Sequence, residues 1–129
     1  MAITEAIENY LETILVLSKM QPDVHAIDIC SYMGYSRPTV SIVLKKMKEQ
    51  ELVNVDEENH ITLTNEGKTI ADQVLERHNV VSKLLMLLGV DKDTALNDAC
   101  KIEHDISPAT FEALKNCYAR LMAENSDAE

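Results

Sequence analysis

The sequence predicts a mainly α-helical fold, a winged helix-turn-helix domain over residues 1–65 followed by a helical domain over 66–129. Three observations carry the prediction. Only three Gly and three Pro punctuate 129 residues, so long uninterrupted elements are expected. Apolar side chains recur at helical spacing along most of the chain. The one departure, over 52–63, sets β-branched residues around a polar turn, which reads as a hairpin placed directly after two helices.

Thr4 is placed to cap a first helix in which Ile7, Tyr10, Leu11, Ile14 and Leu17 share a face, with Asn9 and Glu12 together on a polar flank. Gln21-Pro22-Asp23 breaks it. A second helix over 25–33 turns Ile27, Ile29 or Cys30, and Met33 inward. Gly34-Tyr35 make the turn. Ser36 caps a third helix, with Pro38 in its first turn, where a missing N–H costs nothing. Val40, Val43, Leu44 and Met47 give that helix its buried side. Two helices joined by a short Gly-containing turn, the second capped and basic, form the helix-turn-helix pattern. Strands over 52–55 and 60–63 flank Asp56-Glu57-Glu58-Asn59 and supply the wing. Thr64 caps a long fourth helix over 65–88, with Ile70, Val74, Val81, Leu85 and Leu88 on one side, and Gly89 ends it. A fifth helix covers 93–105. Ser107-Pro108 opens a sixth, whose stripe Phe111, Leu114, Tyr118 and Leu121 either covers its neighbours or extends a seam between two copies of the chain.

Hydrophobic residues at 46% and charged residues at 26% fit a soluble globular protein rather than a disordered one. Residues 1–8 lack the basic region of a signal peptide, and no apolar run reaches membrane-spanning length. Cys30, Cys100 and Cys117 are an odd number without framework spacing, so a reduced, cytoplasmic setting is expected, with no membrane partner. A net charge of −10 counts against general affinity for phosphate backbones, but the charge is uneven. From Ser36 to Lys48 the only charges are Arg37, Lys45, Lys46 and Lys48, whereas acids dominate after Asp91. Ser36, Arg37 and Thr39 would offer hydroxyls and a guanidinium to base edges from the start of the third helix, and Lys45 and Lys46 would meet phosphates. Lys48 reads equally well as part of a solvated face. The acidic wing tip is a poor phosphate clamp.

Cys100-x-x-Glu103-His104 is the second chemical signal. Spacing of i, i+3, i+4 on a helix points a thiolate, a carboxylate and an imidazole into one space. Taken singly, each residue has an ordinary explanation. Helical cysteines are usually small buried hydrophobes, Glu-His pairs are usually solvated, and His78, between Val74 and Val81, is more often a satisfied core histidine than a ligand. Three functions compete: a metal-gated DNA binder, a winged-helix regulator without metal gating that senses thiol oxidation or a small ligand, and a small metalloenzyme. The last is disfavoured by the lack of a His-Glu-x-x-His motif and of a Gly-rich phosphate loop, so no enzyme activity is expected.

Together the motifs are more specific than any one. Ser36-Arg37-Pro38-Thr39-Val40-Ser41, Leu63-Thr64-x-x-Gly67, Arg77-His78, Leu88-Gly89-Val90-Asp91 and Asn97-Asp98-Ala99-Cys100-x-x-Glu103-His104-x-Ile106-Ser107 resemble, in order and spacing, the diphtheria-toxin-repressor family of metal-dependent transcription regulators. The resemblance covers nearly the whole chain. It implies a winged helix, a helical metal-binding and dimerisation domain, and a homodimer that binds palindromic double-stranded operator DNA when loaded with Fe²⁺ or Mn²⁺, for which Co²⁺, Ni²⁺ or Zn²⁺ can substitute. Carried over by position, it makes Cys100, Glu103, His104 and His78 metal ligands, adds Glu12 and Asn9 from the first helix, and places Ser36, Pro38 and Thr39 at base contacts. Cys100 follows the iron branch and Glu12 the manganese branch. Asn9 stands where iron sensors have Met and manganese sensors Asp, and Ser82 and Leu96 replace the Glu and His of the iron branch's ancillary site. Ile42 stands where some relatives have a polar residue, so no operator sequence is carried over. The chain reads as the short form, without the third, SH3-like domain. The gating it implies is electrostatic: a cation reverses the repulsion between carboxylates such as Glu12 and Glu103 and fixes the spacing of two recognition helices.

Overall fold

A computed structural model describes residues 4–127, with side chains through 124. Six helices and one hairpin form two compact units, Met1–Gln73 and Val74–Glu129, and the boundary falls inside the fourth helix.

The first unit opens with α1 (Glu5–Met20), capped by Thr4 Oγ1 accepting from the Ile7 amide at 3.2 Å. Its inner face is Ile7, Tyr10, Leu11, Ile14, Leu15 and Leu17. α2 (Ala26–Met33) starts with the His25 amide donating to Asp28 Oδ2 at 2.8 Å, and ends at Gly34, whose φ of 75° suits a residue without Cβ. Ile27, expected inward, is 53% exposed, while Ile29 is fully buried. Residues two apart on a helix point about 200° apart, so only one of the pair can face the core.

α3 (Arg37–Glu49) runs from its Ser36 cap to Gln50. Glu51 then takes a positive φ of 59°, and the Leu52 amide donates to the Met47 carbonyl at 2.9 Å. This closure of the helix consumes Leu52, which the sequence pattern assigns to a strand, so β1 (Val53–Val55) begins one residue later. It pairs antiparallel with β2 (Ile61–Leu63) in the register Val53↔Leu63, Asn54↔Thr62, Val55↔Ile61. The Ile61 amide also donates to the Val24 carbonyl at 2.8 Å, fixing the hairpin to the α1–α2 connection.

Thr64 ties the hairpin to α4 (Asn65–Leu87). Its hydroxyl donates to the Glu51 carbonyl at 2.8 Å and accepts from the Gly67 amide at 3.0 Å. A Cβ on Gly67 would collide with the Leu52 carbonyl oxygen, so the glycine permits the close approach of helix and hairpin.

In the second unit the buried residues of α4 are Val74, Val81, Ser82 and Leu84. Leu88, expected on that stripe, is 67% exposed. The helix has already ended at Leu87, and Gly89 (φ 101°) turns the chain away, so Leu88 loses the helical direction that would have carried it inward. α5 (Lys92–Asp105) is capped by Asp91 Oδ2, which accepts from the Thr94 amide at 3.0 Å, and it buries Ala95, Ala99 and Glu103 one turn apart. α6 (Pro108–Asp127) starts where Ser107 Oγ accepts from the Thr110 amide at 3.1 Å, and it buries Phe111. Among the described residues, no helix is long and apolar enough to cross a membrane.

Candidate metal centre and reading helix

Ala95 and Ala99 are fully buried on one face of α5, and Glu103, on the next turn of the same face, is likewise out of solvent. Its side chain is 1% exposed. Glu103 Oε2 lies 2.9 Å from His78 Nδ1 on α4, and Oε1 lies 3.3 Å from His104 Nε2. Cys100, at the exposed edge one turn back, completes a group whose donor atoms, one each from Cys100, Glu103 and His104, all fall within 4.8 Å of one another. The carboxylate is therefore the centre of the cluster, an imidazole against each oxygen.

Arg77 braces this arrangement. Its guanidinium donates from Nη1 to the carbonyls of Glu103 (3.2 Å) and Ile106 (3.1 Å), which satisfies the end of α5, and it lies 5.3 Å over the Phe111 ring. Helical spacing gave no hint of this role. Its only sequence signal was the Arg77-His78 pair.

The residues suit a divalent transition metal. Burying a carboxylate is costly unless its oxygens are satisfied, yet Glu103 Oε1, removed from solvent, accepts no hydrogen bond of good geometry. A set with one carboxylate oxygen, imidazole nitrogens and one thiolate is a usual donor set for first-row metals. Asn9 and Glu12 lie half-buried on α1, in the first unit.

The residues expected from the sequence to meet DNA are all exposed in the first unit. Ser36, Arg37, Pro38 and Thr39 form the start of α3, and Lys45 and Lys46 lie two turns further on. Ser36 Oγ and Thr39 Oγ1 are 2.9 Å apart and Ser36 Oγ also caps the Thr39 amide at 3.4 Å, which leaves each hydroxyl further hydrogen-bonding capacity toward a ligand. Arg37, Ser41, Lys45 and Lys48 edge a groove of ≈ 590 Å³ between α2, α3 and the hairpin, with His25 and Ile27 among its other walls. Sequence reasoning missed this groove, because it is made by packing three elements rather than by any run of residues.

A winged helix with a basic, capped third helix, carried on a chain with a buried carboxylate–imidazole pair edged by an exposed cysteine, defines a metal-responsive DNA-binding regulator. The comparisons with known proteins agree. Residues 2–61 match the iron dependent repressor N-terminal DNA binding domain, and residues 64–123 match the iron dependent repressor metal binding and dimerisation domain. The chain belongs to this iron-dependent repressor family, the diphtheria-toxin-repressor family. The transcriptional regulator MntR of Escherichia coli O6:H1 is 32% identical over 111 residues, 86% of this chain and 72% of that protein. An uncharacterized HTH-type transcriptional regulator of Methanocaldococcus jannaschii, MJ0568, is 30% identical over 115 residues, 88% of this chain and 92% of that one. The solved structure of the manganese regulator SloR superposes with a TM-score of 0.76 at 28% identity, over 90% of this chain and 54% of that chain, so this chain spans about half of its length.

Proposed function

We propose that the chain is a transcriptional repressor that binds operator DNA as a homodimer when Fe²⁺ or Mn²⁺ occupies the Cys100/Glu103/His104/His78 cluster. The observation that carries the reading is the buried Glu103 carboxylate, set between two imidazoles and beside a thiol in a chain that also holds a winged helix. A bound divalent cation supplies the positive charge that the carboxylate and thiolate lack. The thiolate broadens the range of metals toward Co²⁺, Ni²⁺ and Zn²⁺, and the manganese regulators among the similar solved structures favour Mn²⁺ as the first metal to try. Glu12 and Asn9 join the ligand set on the strength of the resemblance alone, and their substitution tests them separately.

The chain's own residues divide the work. Arg77 holds the end of α5, and with it Glu103, in place, while Ser36, Arg37, Pro38 and Thr39 address base edges and Lys45 and Lys46 the phosphates. Met86, Leu87, Tyr118 and Met122 line an apolar depression beside exposed Leu88, and a second copy of the chain would cover it. A metal that binds the DNA-competent arrangement preferentially shifts the population toward it.

The test is fluorescence anisotropy of the full chain, purified without oxygen, on duplexes enriched from a random-sequence pool. Mn²⁺ or Fe²⁺ is expected to tighten binding on the order of tenfold or more, a shift of about 1.4 kcal/mol or larger. A chelator should reverse it, and Cys100→Ser should weaken the response to Fe²⁺ more than the response to Mn²⁺. Tight binding that ignores both chelator and metal would leave the ungated regulator as the function.

A further inference from the structure

We propose that the paired imidazoles of His25 and His60 make DNA binding sensitive to pH, gaining charge as the medium acidifies and offsetting the acidic end of the hairpin. The inference rests on the reading of the helix-turn-helix unit as the DNA-contacting part of the chain, and it adds a second control on that unit.

Two of the chain's four histidines, His78 and His104, belong to the candidate metal cluster. The other two meet in the first unit. His25 is the N-cap of α2, and His60 directly precedes β2. Their rings touch edge to face, with centroids 4.7 Å apart. The contact brackets the hydrogen bond from the Ile61 amide to the Val24 carbonyl, since each ring belongs to the residue next to one of its partners. Carboxylates approach the pair from three directions. Asp56 Oδ2 and Glu58 Oε2, from the hairpin turn, lie 3.2 and 3.8 Å from His60 Nδ1. Asp23 Oδ1, from the α1–α2 connection, lies 3.9 Å from His60 Nε2, and Asp28 Oδ2 of α2 lies 3.8 Å from His25 Nδ1. The cations Arg37, Lys45 and Lys48 of α3 edge the groove that His25 and Glu58 also line. Both rings reach solvent, the His25 side chain at 38% exposure and that of His60 at 26%, so they exchange protons with the medium.

With both imidazoles neutral, the end of the hairpin and its neighbour present Asp23, Asp56, Glu57 and Glu58 with no cation among them. A duplex seated on α3 then meets cations along one side of the groove and negative charge along the other. Imidazoles ordinarily titrate between about pH 5 and 8. A proton on the pair sets an imidazolium among these carboxylates and against the partner ring, and the repulsion of phosphates falls by one charge. Proton and duplex therefore favour each other's binding, by the reciprocity of linked equilibria. The change is one of surface charge, and the backbone hydrogen bonds of the turn stay as they are. Its sign is opposite to that of the candidate metal cluster, where a thiol and imidazoles must shed protons to bind a cation.

The experiment uses the full chain with saturating Mn²⁺ and a duplex enriched from a random pool, from about pH 8 to about pH 6 at fixed ionic strength. Binding of the wild type, His60→Gln and His25→Gln/His60→Gln is followed by anisotropy, glutamine being polar and unable to take up a proton. The ratio of wild-type to variant affinity removes the pH dependence of the metal cluster, which all three proteins share. That ratio is expected to rise on the order of fivefold across the range for the double variant, and to shrink as salt is added. Calorimetry of the wild type near pH 6.5, in buffers of unequal ionisation enthalpy, is expected to show proton uptake as the duplex binds. It needs no variant, and it decides alone if a variant loses its melting transition. A ratio that stays constant with pH, or wild-type binding that takes up no proton, overturns the inference and leaves DNA binding standing. Failure to bind any duplex at any pH, with or without Mn²⁺, overturns both.

Discussion

In the first unit Leu11, Ile14, Ile29, Val40, Met47, Leu52 and Val53 are essentially withdrawn from solvent, and these are the largest fully buried side chains of the described residues. The interior of the second unit is made instead of Ala95, Ala99, Val74, Val81, Leu84 and Phe111, together with Ser82 and the carboxylate of Glu103. A unit of the first kind is stabilised by its own apolar burial, at about 25 cal/mol per Å². One of the second kind carries a buried charge whose cost depends on what stands beside it. The proposed DNA-reading residues are thus mounted on an apolar core, while the candidate metal cluster sits beside a buried carboxylate, where a ligand would change the stability. The difference suits a scaffold in one unit and a sensor in the other.

Glu103→Gln should break this contrast most visibly. It keeps the shape of the side chain and removes the charge, so metal affinity should fall by on the order of 100-fold or more, beyond the usual loss for an outer-shell group. The same change relieves a buried carboxylate, and the metal-free protein should melt at the same temperature as the wild type or higher. Calorimetric titration with Mn²⁺ and thermal melts with and without it read both effects. A metal-free Glu103→Gln protein that melts well below the wild type would make the carboxylate a structural ion-pair partner and not a ligand held in reserve.

Smaller, and separable by unit, are Arg77→Ala and Gly67→Ala. Losing the guanidinium orphans two carbonyls at the end of α5 and uncovers Phe111, which should cost about 2–3 kcal/mol given the strength of charged hydrogen bonds. The added methyl at Gly67 drives into the Leu52 backbone and should cost about 1–3 kcal/mol. Amide exchange assigns the damage: Arg77→Ala should deprotect the C-terminal half of α5 and spare α1 to α3, and Gly67→Ala should loosen the hairpin and the first turn of α4. Damage spread evenly over both units by either change would show that they unfold as one.

Much of this was legible in the sequence because it is local. Caps at Thr4, Ser36, Thr64 and Ser107, and the breaks at Pro22, Gly34 and Gly89, sit where the structure has them, since a cap needs only a side chain and an amide a few residues away. The i, i+3, i+4 run at Cys100 likewise guaranteed a shared face. What the sequence concealed depends on contacts between elements. Ile27 and Ile29 are equally apolar, and only packing decides which faces in. The oxygen-by-oxygen pairing of Glu103 with His78 and His104 spans two helices 25 residues apart in the chain. Arg77 acts through backbone carbonyls, which carry no sequence signature at all.

The gentlest test concerns the wing. Asp56 Oδ1 accepts from the amides of Glu58 and His60, both at 2.9 Å, and Oδ2 lies 3.2 Å from His60 Nδ1. The backbone hydrogen bond from His60 is the main reason its acidity is enhanced below the ordinary value of 3.8, with the Glu58 amide and the His60 side chain adding to it. A carboxyl whose pKa is lower folded than unfolded contributes its stability above 3.8 and surrenders it as pH falls through the lower folded value. Protection of the His60 amide, corrected for intrinsic exchange, should therefore stay flat from neutral pH down to about 4 and fall only below it. Asp56→Ala should lose that protection at every pH, with little change in global unfolding because the side chain is largely exposed. If protection instead begins to fall near neutral pH, where imidazoles ordinarily titrate, the His60 side chain rather than the Asp56 carboxylate closes the turn. The fold of the wing would then answer to pH, a second point of control beside the proposed metal site.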